Sequence, residues 1–207
     1  CPGCGVGCCG SVMNARDYAA LAQAAYDDPP DIGIADSASR AIVRETADGL
    51  VVAFPGSNNL PSWLADLNAL PRSVPGMGNV HKGFYDAWSA IESEVIAAIG
   101  NKPVTFAAHS LGAAIALLAA ASLTLAGKPP VAVYAFEPPR VSFDLTLRNL
   151  LAKVPLHLYR NGLDIVTNLP PGGVHPGLLT HIGPALLPIV NVQDHLLPRV
   201  TEDLPLS

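Results

Sequence analysis

Apolar and polar positions alternate along this chain in two rhythms, and the switches between them mark its elements. Residues 14–26, NARDYAALAQAAY, read as a helix: Asn14 or Ser11 can cap it, Asp17 falls in its first turn, and Ala, Leu and Tyr fill its faces. DDPPDIG then breaks the pattern. RAIVRET (40–46) and GLVVAF (49–54) are short β-rich runs joined through ADG, a hairpin signal. NLPSWLADLNALP (59–71) is a short amphipathic segment bounded by prolines, and RSVPGMGN (72–79) reads as loop. From Gly83 the rhythm is helical again, with Phe84, Trp88, Ile91, Val95 and Ile99 recurring every three or four residues.

The remainder alternates strand and helix. PVTFAA (103–108) is a strand, LGAAIALLAAASLTLAG (111–127) a helix ending at Gly127, and VAVYAF (131–136) a strand. FDLTLRNLLAKV (143–154) follows as a helix and LHLYR (156–160) as a strand. Continuous apolar strands in this order predict a mostly parallel sheet covered by helices on both faces, an α/β arrangement. Residues 11–207 are expected to form one domain, with the Cys/Gly-rich residues 1–10 a segment apart from it. There is no internal repeat.

A chain of 207 residues can bury a sizeable core, and with half its residues apolar and 14% charged it must do so. The richest apolar run, Leu111 to Ala126, contains Ser122 and Thr124. It falls short of the ~20 apolar residues that span a bilayer, which favours a core helix. A net charge of −5 without any Lys/Arg cluster argues against nucleic acid, and no basic amphipathic stretch suits anionic lipid.

Cys1, Cys4, Cys8 and Cys9 all lie in CPGCGVGCC, so none can staple the body of the fold. The motif reads as local disulfides, a thiolate metal site or an N-terminal remnant. The metal reading is disfavoured because nothing else nearby supplies ligands. A start at Cys rather than Met suggests loss of upstream residues, as in an exported, signal-cleaved protein, and secretion is the expectation.

The candidate chemistry centres on FAAHSLGAA (106–114). A nucleophilic serine on a sharp strand-to-helix turn needs small residues two before and two after it, and Ala108 and Gly112 flank Ser110 in this way. A serine hydroxyl also needs a base in reach, itself oriented by a carboxylate. Asp164, directly after the LHLYRNG strand and turn, stands where open α/β sheets gather ligand-binding groups, and Glu137 after the preceding strand is the runner-up acid. His195, in the loop-like VQDHLLP, is favoured as base on position, with His181 a competitor and His157 a packed strand residue. Leu111 offers one oxyanion N–H from the elbow, and Gly56 or Ser57 in VVAFPGSNN offers a second after an earlier strand.

These residues lie within a longer set of motifs. FPGSNNLPSWLADL, VHKGFYDAW, AHSLGAAIALLAA, AFEPPRV, RNGLDIVTNLPP and DHLLP resemble, in order, the F-R-G-[ST] and lid, V-H-x-G-F, G-H-S-L-G-G-A, F-G-x-P-R-V, R-V-x-N-x-x-D-x-V-P-x-L-P-P and D-H-x-x-Y patterns of the class 3 lipases. From about Ile42 to Pro198 the chain is therefore similar to that family of α/β-hydrolases. The resemblance implies Ser110 as nucleophile, Asp164 as acid, His195 as base, and Ser57 and Leu111 as oxyanion donors. It implies a lid helix presenting Leu60, Trp63, Leu64 and Leu67, a structural role for His81 and a non-catalytic His181. Val166, Leu169 and Leu196 flank the acid and base and are expected to line an acyl groove.

The implied activity is a serine carboxylic ester hydrolase, foremost a triacylglycerol lipase or esterase, without metal or organic cofactor. Its implied partner is a lipid or other ester, at a lipid–water interface. Phospholipase, feruloyl-type esterase and a catalytically inactive lipid-binding module are the alternatives. Departures from the patterns are Pro55 for Arg, Ala108 and Ala113 for Gly, Thr167 for Pro and Pro198 for an aromatic residue.

Overall fold

The computed structural model describes residues 12–206; the four cysteines, with every reading placed on them, and Ser11 lie outside this range. Helix α1 (Ala15–Asp27) opens with a capping box: Asn14 accepts from the Arg16 and Asp17 amides while Asp17 accepts from the Asn14 amide. Next come β1 (Ile32–Gly33), β2 (Arg40–Thr46), β3 (Gly49–Phe54), α2 (Leu60–Asp66), β4 (Pro71–Val74), β5 (Gly78–His81), α3 (Lys82–Ser89) and α4 (Glu92–Ile99). The second half runs β6 (Val104–His109), α5 (Leu111–Leu125), β7 (Ala132–Phe136), α6 (Thr146–Leu150), β8 (Leu156–Asn161), β9 (Leu179–Ile182) and α7 (Leu197–Asp203). No described helix is long and apolar enough to cross a membrane.

Seven strands form one sheet in the order β1-β2-β3-β6-β7-β8-β9, antiparallel through β1, β2 and β3 and parallel from β3 onward. Side chains of successive strand residues point to opposite faces, so each buried strand feeds two cores. Leu50, Val52 and Phe54 of β3, Val104, Phe106 and Ala108 of β6, and Val133 and Ala135 of β7 pack on one face with Phe84, Trp88, Val95 and α5. The intervening Val51, Ala53, Ala107 and Phe136 pack on the other against Tyr18, Ala19 and Ala22 of α1 and Leu197 and Val200 of α7. The α5 helix is buried nearly all round, as its lack of a polar face requires, and the indole N–H of Trp88 is satisfied by Ser122 Oγ at 2.9 Å.

Four segments differ from the sequence expectation. RSVPGMGN belongs to the β4–β5 hairpin rather than a plain loop, because Gly76 and Gly78 both take positive φ (80° and 78°) and close a tight turn. The helix expected from Gly83 is two, since Ile91 leaves helical geometry at ψ 0°, although Ile91 and Val95 keep the core spacing across the break. Only Thr146–Leu150 of FDLTLRNLLAKV is helical: the Phe143 amide pairs with Asn79 O at 2.7 Å, and Asp144 accepts from the Asn79 and Thr146 amides. LTHI, read only as the surroundings of a histidine, is strand β9 itself.

Leu118→Ala would open a cavity in the fully buried middle of α5. It should cost about 2–5 kcal/mol in denaturant unfolding, with the slope against denaturant unchanged.

Candidate active site

The parallel strands β3, β6, β7 and β8 run side by side, so their carboxyl ends and the turns that follow gather at one edge of the sheet. Ser110 lies between β6 and α5 at φ 56°, ψ −126°, a backbone region that costs a non-glycine residue free energy and is seen at functional turns. Two glycines make this bend possible. A Cβ on Gly112 would collide with the carbonyl oxygens of Phe54 and Pro55, and one on Gly56 would sit 2.7 Å from Ser110 Cβ and 3.1 Å from His109 O. Ala108 and Ala113 carry their methyls into the core instead, so the family's glycines are dispensable there.

Asp164 follows β8 and is wholly buried. Its Oδ1 accepts from the Val166 amide at 3.0 Å and its Oδ2 meets His195 Nδ1 at 2.9 Å. Burial works to raise Asp164, but hydrogen bonds involving Glu137 and His195 outweigh it and hold the carboxyl below its ordinary value. A charged Asp164 requires Nδ1 to carry the proton, which leaves His195 Nε2 as the free lone pair. Nε2 and Ser110 Oγ are both buried, and neither has a hydrogen-bond partner in the structure. The pair a nucleophile and base would form is thus the one left open, at the floor of a cavity of about 500 Å³.

Ser57, Leu60, Leu196 and Pro198 are among the lining of that cavity, with Ser110 and His195. Ser57 Oγ accepts from the Asn59 amide at 3.1 Å. Leu111 is the first residue of α5, where helical N–H groups have no carbonyl a turn earlier. Trp63, Leu64, Val166 and Leu169 are not part of the lining. Trp63 stacks near Phe84 with ring centres 6.2 Å apart, and Val166 is fully buried and serves Asp164 through its amide.

The other histidines sort themselves. His181 is exposed on β9, His157 stacks on Tyr134, and His81 caps α3 by accepting from the Phe84 amide. His175 Nε2 pairs with Thr167 O at 2.8 Å. Glu137, the runner-up acid, is buried beside Asp164.

Sequence reasoning missed the supports supplied by His109, Tyr26 and Arg40. His109 Nε2 pairs with the backbone oxygen of His195 at 2.8 Å, and Tyr26 OH with His109 Nδ1 at 2.7 Å. Burial, and then the neighbouring His195, push His109 down to about 3, so it stays neutral while it holds the loop. Adjacency to Ser110 could have flagged His109, but nothing local flags Tyr26, 83 residues away. Arg40, buried on β2, donates to Asn58 Oδ1 at 2.9 Å and to the Ser37 and Ala35 carbonyls, so a cation buttresses the Ser57 loop although Pro55 is not one. Asp194, next to His195, accepts from the Leu163 and Leu186 amides, Asn191 and Arg199.

Comparison with known proteins gives the family. The Lipase (class 3) family profile matches residues 51–173, and the chain belongs to that family. The secreted mono- and diacylglycerol lipase A of Penicillium cyclopium is 31% identical over 153 residues, 69% of this chain and 50% of that protein. The lipase of Rhizomucor miehei is 32% identical over 146 residues, 62% of this chain and 40% of that one. The chain thus spans half or less of the length of these curated relatives. The crystal structure of the lipase from Rhizopus microsporus var. chinensis superposes with a TM-score of 0.74 at 23% identity, covering 88% of this chain and 84% of that one. The fold is that of the α/β-hydrolases.

Burial works to raise Asp194, but the Leu163 amide, Asn191 and the other partners outweigh it and hold it below its ordinary value. A depressed carboxyl stabilises the fold above its unfolded pKa and loses that contribution as pH falls through the folded one. Asp194→Asn should therefore cost about 2 kcal/mol at neutral pH. Chemical denaturation as a function of pH should show the gap closing as the wild-type carboxyl becomes protonated.

Proposed function

We propose that this chain is a serine carboxylic ester hydrolase acting on acylglycerols through Ser110, His195 and Asp164. The observation that carries the reading is the strained, buried Ser110 at the floor of an apolar-walled cavity, beside a histidine whose far nitrogen is fixed by a buried carboxylate. As Ser110 Oγ attacks the ester carbonyl, His195 Nε2 takes its proton, and Asp164 stabilises the imidazolium that forms. The N–H groups of Ser57 and Leu111 receive the oxyanion. Collapse of the tetrahedral intermediate returns the proton to the departing alcohol and leaves an acyl-Ser110. Water, deprotonated by the same nitrogen, then releases the acid and restores the serine.

Acylglycerols are favoured over small polar esters because Leu60, Pro61, Leu196, Leu197 and Pro198 wall the cavity. The α2 helix is the proposed lid, with Leu60, Trp63 and Leu64 on its apolar side; none of its residues is fully buried. Leu186, Ile189, Val190 and Leu196, exposed on the loop that leads to and passes His195, extend the apolar rim and suit a lipid–water interface. The Penicillium relatives are named as secreted, and we assign this chain to the same setting.

Hydrolysis of p-nitrophenyl esters of increasing chain length, by wild type and Ser110→Ala in parallel, tests the reading. The wild type should turn over and favour the longer acyl chains, and the variant should lose about four orders of magnitude or more in kcat. Equal rates in the two proteins would contradict it.

A further inference from the structure

Glu137 is the first residue after β7 and, with Ser110, one of the non-glycine residues at positive φ, here 54°. Its side chain is wholly buried. The backbone N–H donates to Tyr159 O at 2.9 Å, and Oε1 accepts from the Asn161 amide at 2.5 Å, which lodges the carboxyl between the ends of β7 and β8. Oε2 is buried and meets no donor. An oxygen of Glu137, an oxygen of Asp164 and a nitrogen of His195 lie within 4.8 Å of one another.

Two carboxyls in one dry site do not both ionise. Asp164 receives the Val166 N–H and the His195 Nδ1–H, whereas Glu137 receives the Asn161 N–H. The charge therefore settles on Asp164. The unmatched Oε2 becomes a satisfied group once it carries a proton, because the neighbouring acceptor is the Asp164 carboxylate.

We propose that Glu137 is a positioning residue of the catalytic machinery, a neutral carboxylic acid that donates Oε2–H to Asp164 and so fixes the carboxylate toward His195. The proposal rests on the hydrolase reading for its kinetic consequence, though not for the protonation state. Burial, and then the proximity of Asp164, push Glu137 well above the ordinary carboxylate range. The titratable groups around it are Asp164 and Arg160 from β8 and the turn after it, and His195 from the late loop, with His109 of β6 facing the pair from beyond. No proton leaves Glu137 during turnover; it holds its partner still while His195 gains and loses one. That service compensates for a strained backbone at a position glycine would occupy without cost.

The test is infrared spectroscopy in deuterated neutral buffer together with kinetics of Glu137→Gln and Glu137→Ala. The wild type should show the carbonyl stretch of a protonated carboxylic acid, and E137Q should lack it. E137A should lose roughly ten- to a hundred-fold in kcat with KM unchanged, the scale of one hydrogen bond to a charged group. E137Q, which restores an N–H donor without a charge, should recover most of that loss and keep the acidic limb of kcat/KM where the wild type has it. Absence of the band in wild type, its persistence in E137Q, or a downward move of the acidic limb in E137Q would overturn the proposal. So would full activity of E137A. If E137A does not fold, the band and the E137Q profile decide, and if the wild type hydrolyses no ester, the hydrolase reading fails while the band still reports on Glu137.

Discussion

The close approach of three chain segments at Ser110 is the constraint on which the remainder hangs. Strand β6 must end, turn through a left-handed residue and start α5 while the end of β3 passes against the turn, paired Phe54 to Ala108 in register. Gly112 and Gly56 are the positions where any side chain would drive these segments apart. Their absence of side chains lets the Ser57 loop lie beside Ser110, with the buried α5 helix behind it. The strain at Ser110 is held because two cores, one on each face of β6, leave the strand nowhere to relax.

Around that turn the electrostatics are settled by dryness. A histidine and two carboxyls share a site almost without solvent, so their protons sort by which group has donors to meet its charge. Asp164 keeps the charge, His195 keeps the proton facing it, and His109 stays neutral and holds the His195 backbone. Asp194, one residue before His195, uses its own charge to gather the Leu163 and Leu186 amides and Arg199. The late loop is thus pinned on both sides of the histidine, although it has little regular structure of its own.

Much of this was legible because the physics is local. The strands β2, β3, β6, β7 and β8 announce themselves by apolar runs of strand length, and the elbow by a serine between small residues. Position along the chain ranks Asp164 above Glu137 as the acid, although both follow sheet strands; what separates them physically is the His195 contact, made 31 residues along the chain, and the local Val166 amide. The Tyr26–His109 pair and the Arg40 buttress were illegible because each joins elements distant along the chain or on another strand. The β4–β5 hairpin and β9 were hidden because short strands rich in polar or glycine residues carry little periodic signal. Of the residues flanking the acid and base, Leu196 lines the cavity while Val166 and Leu169 do not, since flanking an acid in sequence does not mean facing its cavity.

The central claim is that Ser110 is a nucleophile activated by His195 and Asp164. Covalent trapping by a long-chain alkyl phosphonate, followed by peptide mass spectrometry, tests it without any assumption about the natural ester. One phosphonyl group per chain should form on the peptide containing Ser110, far more slowly when His195 is replaced by Ala. Modification at another residue, or none with the fold intact, would contradict it.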